Sequence, residues 1–155
     1  MKGSVKKYLL GFLASASGSV LAETLIVVPV VTIFAAGVLE FGNVLWQRQQ
    51  LQTGVRDAAR YWSRCRPDFN NCSITTARNI AFYGNPNGTG SPRIANWTNA
   101  ADLTIAPETP VSAPSPSDLV TVAGRLDYGA SPLFGALLIS PIVISYAHTE
   151  RYIGW

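Results

Sequence analysis

Two small sets of residues in this chain have the types and spacing for chemistry. The first is Gly18-Ser19-Val20-Leu21-Ala22-Glu23, in which a small residue is followed five positions later by a carboxylate. Glu23 stands at the entry of the longest apolar run, and a carboxylate in such surroundings is costly unless it has a partner. The second set is Cys65 and Cys72, the only cysteines, with six residues between them. Two thiols this close, after an apolar segment, suit a disulfide in an oxidising compartment; in a reducing one they stay thiols. They are too few for a cysteine-based zinc site and too far from the single His148 for a mixed one.

The remaining patterns argue against catalysis. No GxSxG serine accompanies His148, which falls in a predicted strand near the C-terminus, where a lone histidine is most often structural. Asp68, Asp102, Asp118 and Asp127 are scattered without metal-ligand spacing. The glycines of Asn85 to Pro92 lack the GxGxxG or GxxxxGK spacing of a phosphate cradle and read as a loop. The residues therefore predict no enzyme, no cofactor and no metal.

Charge and hydropathy place the chain at a membrane. Hydrophobic residues make up 48% and charged residues 14%, against a soluble norm of roughly 25% charged. The net charge of +3 is local: all three lysines, Lys2, Lys6 and Lys7, lie in the first seven residues. The nine arginines and nine acids that remain cancel, so the basic pI carries no nucleic-acid signature.

Residues 1–18 read as a leader with a lysine-rich start, an apolar patch from Tyr8 to Ala14, and a Ser/Ala/Gly stretch ending at Gly18. A secretory signal peptide cut near Ala14-Ser15-Ala16 is the alternative, but its apolar core would be only about seven residues. The main hydrophobic run comes later. Thr24 to Leu39 carries no charge and is bracketed by Glu23 and Glu40. Sixteen helical residues cover about 24 Å, short of a hydrocarbon core of roughly 30 Å. Extension to Trp46 supplies the length and an interfacial aromatic. Pro29 removes the N–H that would bond to Leu25 and should kink or loosen the helix.

Beyond Trp46, the residues Val44, Arg48, Leu51, Val55, Ala58 and Trp62 form one stripe at helical spacing. The helix is therefore predicted to continue to about Arg64, packing on its own head or on a neighbouring subunit. Residues 65–155 read as a small α+β head. It has a helix from Ile74 to Tyr83 capped by Gly84, a strand at Leu103 and Ile105, and a Pro/Ser connector from Pro107 to Pro116. Strands at Val120–Tyr128 and Ile142–Tyr146 follow, with a buried helix at Leu133–Ile139 between them. The fold class is α+β: a long N-terminal helix bearing a small antiparallel-sheet head. Its segments are 1–18 leader, 19–46 transmembrane, 47–64 amphipathic continuation and 65–155 head.

The Gly18-to-Glu23 motif, after a basic leader and at the entry of an apolar helix, resembles a type IV prepilin processing site. Pro29, Leu39-Glu40-Phe41-Gly42, Arg48-Gln49 and Ala58-Ala59-Arg60-Tyr61 extend the likeness. Over about residues 18–62 the chain resembles the TadE/TadF family of tight-adherence pilus pseudopilins. The resemblance implies cleavage between Gly18 and Ser19 by an inner-membrane prepilin peptidase. It also implies a pilin-like fold, no catalytic role, and partnership with other pilin or pseudopilin subunits, pilus assembly proteins and the lipid bilayer.

Positive charge alone leaves topology undecided, because Arg48, Arg56, Arg60 and Arg64 follow the apolar helix closely. The resemblance and the cysteine pair together favour a cytoplasmic N-terminus and a periplasmic head. A membrane-tethered ligand-binding or adhesion module outside any filament is the competing reading, separated from the first by leader processing.

Overall fold

The computed structural model describes residue 11 and residues 16–68, 72–115, 117–129 and 142–153, with the backbone alone for residues 16–18. The expected leader before Ala16 (Gly11 excepted) and the expected helix at Leu133–Ile139 lie outside the described residues. Helix α1 spans Ala16–Ser63 and α2 spans Ile74–Tyr83. A 3₁₀ turn at Ala100–Asp102 leads into strand β1 (Leu103–Ala106), followed by β2 (Leu119–Asp127) and β3 (Val143–Arg151). The fold is α+β, with a long N-terminal helix and one antiparallel sheet ordered β1-β2-β3. The chain divides into two compact units, Met1–Phe41 and Gly42–Trp155.

In the second unit, the α1 stripe is the core. Leu51, Val55, Ala58, Ala59 and Trp62 are buried together with Leu103, Ile105, Val120, Val122 and Leu126. The alternation predicted for the strands sets which residues face inward, and the helix stripe packs on that face. Own-head packing is thus the fate of this stripe, with Arg48 left exposed. Register is fixed by pairs such as Ile105 with Val122 and Val122 with His148.

Two glycines make the helix–sheet approach possible. A Cβ on Gly54 would meet the Ala81 carbonyl oxygen and sit 2.8 Å from Trp97 Cζ3. A Cβ on Gly124 would sit 2.8 Å from Val55 Cγ2 and 3.2 Å from Trp97 Cζ2. The fully buried Trp97 ring therefore occupies a slot bounded by glycine on the helix and glycine on β2. Phe82 closes on it edge-to-face at 4.9 Å.

Helix α2 begins and ends as its sequence predicts. The Ser73 hydroxyl accepts from Thr75 N–H at 3.2 Å, and Gly84 adopts φ 75° while its N–H donates to the Ile80 carbonyl. Arg93 joins this end of α2 to α1. Its N–H donates to the Phe82 carbonyl, and its guanidinium donates to Asp57 at 2.7 Å. That geometry, with both side chains partly buried, is a charge-assisted bond of the stronger sort.

Strand β3 is longer than its sequence predicts, reaching Arg151 instead of Tyr146. After it, Tyr152 N–H donates to the Asp118 carbonyl and Ile153 N–H to the Ser63 carbonyl, while the Tyr152 hydroxyl donates to the Cys65 carbonyl. Orphan carbonyls at the C-terminal end of α1 are thereby satisfied from the far end of the chain.

Candidate functional site

The first unit is built to face an apolar medium. Among the described residues, 15 of the 18 exposed large hydrophobics fall between Val20 and Trp46. Water is a poor neighbour for such a surface, since each buried CH₂ gains about 0.8 kcal/mol. This helix is long and apolar enough to cross a membrane by length and composition. Its polar side chains are handled locally: Thr24 Oγ1 donates to the Val20 carbonyl at 2.6 Å and Thr32 Oγ1 to the Val28 carbonyl at 2.7 Å.

Gly18 and Ser19 lie inside α1, and the helix runs across their peptide bond without interruption. Ser19 and Glu23 are exposed, and Glu23 forms no ion pair among the described residues. Pro29 sits within the helix. With Leu21, Thr24, Leu25 and Val28 it lines an open apolar notch of about 290 Å³ on the face where Leu25 loses its helical donor. Glu23 and Pro29 thus share one exposed apolar helix, while the cysteines belong to the second unit.

Cys65 is 2% exposed and part of the core, whereas Cys72 is half-buried against it. Both are thiols, with Cys72 packed against the cluster that contains Cys65. Burial, then the neighbouring Cys72, pushes the Cys65 thiol up to about 12. The Tyr61 hydroxyl, which accepts from Ser73 N–H at 3.4 Å, opposes this upward shift.

A polar seam between α1 and β3 has no counterpart in the sequence reading. Arg56 Nε donates to the Tyr146 hydroxyl at 3.1 Å, with the guanidinium carbon 5.6 Å from the ring centre. The Tyr146 hydroxyl contacts His148 Nδ1 at 3.4 Å, and His148 Nε2 contacts Glu150 Oε1 at 3.2 Å. Glu150 also accepts from Ser63 Oγ at 3.3 Å and lies 3.8 Å from Arg60. Ser63 reaches the acid and not the imidazole, so the serine–histidine order of a nucleophilic site is not assembled. The signal was present: Tyr146, His148 and Glu150 alternate on one strand face, and Arg56 and Arg60 are one helical turn apart.

On the other face of the sheet, Asp102, Thr104, Ala123, Arg125, Ser145 and Ala147 help line an open groove of about 520 Å³. Among the described residues no three His, Cys, Asp or Glu side chains gather as a metal site.

The described residues define a class: an α+β chain with one long apolar N-terminal helix, compatible with a single-pass membrane protein. The particular affiliation comes from comparison. Residues 18–60 match the family model described as TadE-like protein, a segment containing Gly18, Glu23, Pro29 and the first part of the head-packing stripe. Over that segment the chain is similar to TadE-like proteins. No curated protein and no solved structure matches the chain.

Proposed function

We propose that the protein is a minor pilin or pseudopilin that takes part in assembling a tight-adherence type IV pilus. The observation that carries this reading is coincidence. The TadE-like match begins at Gly18 and covers the apolar helix on which Glu23 is exposed. A prepilin peptidase removes residues 1–18, residues 19–46 anchor the chain with its N-terminus cytoplasmic, and the head stands in the periplasm. Cleavage frees the Ser19 amine, which pairs with Glu23 of a neighbouring subunit in the low dielectric of the assembly. Pro29 loosens the helix between that carboxylate and the head. Cys65 and Cys72 form a disulfide.

Intact mass after co-expression with the matching peptidase tests the first step. The wild-type chain should lose residues 1–18, and Gly18→Leu should stay full length. An uncut wild-type chain would remove the pilin reading. It would favour the second one, a tethered binding module, for which the groove at Asp102 and Arg125 supplies support.

A further inference from the structure

We infer that Cys72 is a thiol–disulfide exchange site through which oxidising equivalents enter the head, with Cys65 as the resolving thiol and Tyr61 as its positioning residue. The inference rests on the proposed pairing of the two cysteines, but not on pilus assembly. It begins from an asymmetry. Cys65 is 2% exposed and belongs to the core cluster, whereas Cys72 is only half-buried at the start of α2. An external disulfide must approach the attacking sulfur closely, which Cys72 permits and Cys65 does not.

Acidity points the same way. Burial raises the Cys65 thiol, so little of it is thiolate at neutral pH. The thiolate is the attacking species, although a more basic sulfur is intrinsically more nucleophilic and recovers part of the loss. Cys65 is nevertheless well placed for the second step, because Cys72 packs against the core cluster to which Cys65 belongs.

The two steps balance with an oxidant of the disulfide class, R–S–S–R. The Cys72 thiolate attacks one sulfur, forming Cys72–S–S–R and releasing one RS⁻, which takes up the proton that Cys72 gave up. Cys65 then loses its proton, and its sulfur attacks Sγ of Cys72, expelling the second RS⁻, which is protonated in turn. Two electrons pass from the cysteine pair to R–S–S–R, which becomes two RSH. Ser73 N–H, next to Cys72, donates to the Tyr61 oxygen, and the Tyr61 hydroxyl favours the ionised Cys65 sulfur. Tyr61 thereby favours the Cys65 thiolate formed in the second step.

The experiment uses the full chain in detergent, reduced, desalted and exposed to oxidised glutathione, with acid-quenched samples followed by peptide mass mapping. Cys65→Ser should accumulate one glutathione adduct on Cys72 at the rate at which the wild type first reacts. Cys72→Ser should be modified at least about tenfold more slowly. Tyr61→Phe should slow closure of the bridge while leaving first adduct formation unchanged, a split that general loss of packing would not produce. In the wild type, the first adduct mapped at early times should be on Cys72, a measurement that needs no variant. A first adduct on Cys65, or equal rates for the two serine variants, overturns the entry order while leaving the pairing intact. A wild type that never bridges overturns the pairing itself, whatever the outcome of leader processing.

Discussion

Cys65 carries a measurable consequence of being inside the core. Its ordinary thiol value is 9.0, and burial, reinforced by Cys72, holds it at about 12. Burial likewise raises the Tyr152 hydroxyl, whose hydrogen bond from Val111 N–H only partly offsets the shift. Both groups are neutral when protonated. Above pH 9 the unfolded chain releases the Cys65 proton while the folded chain keeps it, so the folded state binds more protons and loses stability as pH rises. The contribution is complete below pH 9 and disappears between about 9 and 12. Thermal unfolding of the reduced protein should therefore show a falling Tm across that window. The bridged protein, which has no Cys65 thiol, should fall less. An identical alkaline decline in both redox forms would assign the effect to Tyr152 or to other groups. The nearness of the cysteines in sequence was legible, and it makes a disulfide the expectation for an oxidising compartment. Their inequality was not, because burial of Cys65 depends on Tyr152, 87 positions away, closing over its carbonyl.

At the level of elements, the approach of α1 to the sheet depends on Gly54 and Gly124. Glycine within a helix costs about 1 kcal/mol relative to alanine, so a helix-propensity argument favours Gly54→Ala. Packing reverses that sign. The added methyl would meet the Ala81 carbonyl, which is backbone, and the Trp97 ring, which is enclosed on its other side near Gly124. Overpacking of this kind costs about 1–3 kcal/mol, so Gly54→Ala should be net destabilising and should alter the near-ultraviolet signal of Trp97. Gly42→Ala is the control, since nothing lies within 4 Å of its Cβ position. It should be neutral or slightly stabilising in the same thermal melt. Equal responses from both variants would show that the slot is not tight. Helix α2 needed no such context: Ser73, the Ile74–Tyr83 span and Gly84 are local signals, and the structure follows them.

For the whole molecule, the question is what an exposed carboxylate on an apolar helix is for. At the centre of a bilayer an unpaired one costs about 2.5–3.5 kcal/mol on insertion scales, and less near the interface. Under the proposed function, a single subunit would reduce that cost by keeping Glu23 near headgroup level, and an assembly would reduce it by pairing Glu23 with a neighbour's freed Ser19 amine. Glu23→Gln keeps size and polarity and removes charge. Membrane insertion and cleavage after Gly18 should then be normal, while crosslinking to pilus partners should fall. Recovery of Glu23→Gln with the pilus machinery at wild-type yield, with assembly intact, would reduce Glu23 to a marker of the membrane boundary. Helix α1 is continuous through Gly18–Ser19, so under the proposed processing a peptidase cutting there would have to unwind a helical turn. Small Gly18, a poor helix former, lowers that cost.

The sequence by itself determined everything that rests on neighbours a few residues apart. The exposed apolar helix, its continuation as the stripe from Leu51 to Trp62, the capped α2, and the inward alternation of β1 and β2 are all of this kind. They depend on helical and strand periodicity, which any local window contains. Only the tertiary structure decided the rest. It extended β3 to Arg151, where the strand pairs with β2 through Leu119 and where Tyr146 meets Arg56 and Glu150 meets Ser63 and Arg60, partners 87 to 90 positions apart. It also seated Trp97 between two glycines and fastened Tyr152 to the end of α1. No local window records such pairings, because each side chain's preference is set by a partner that only the folded chain brings within reach.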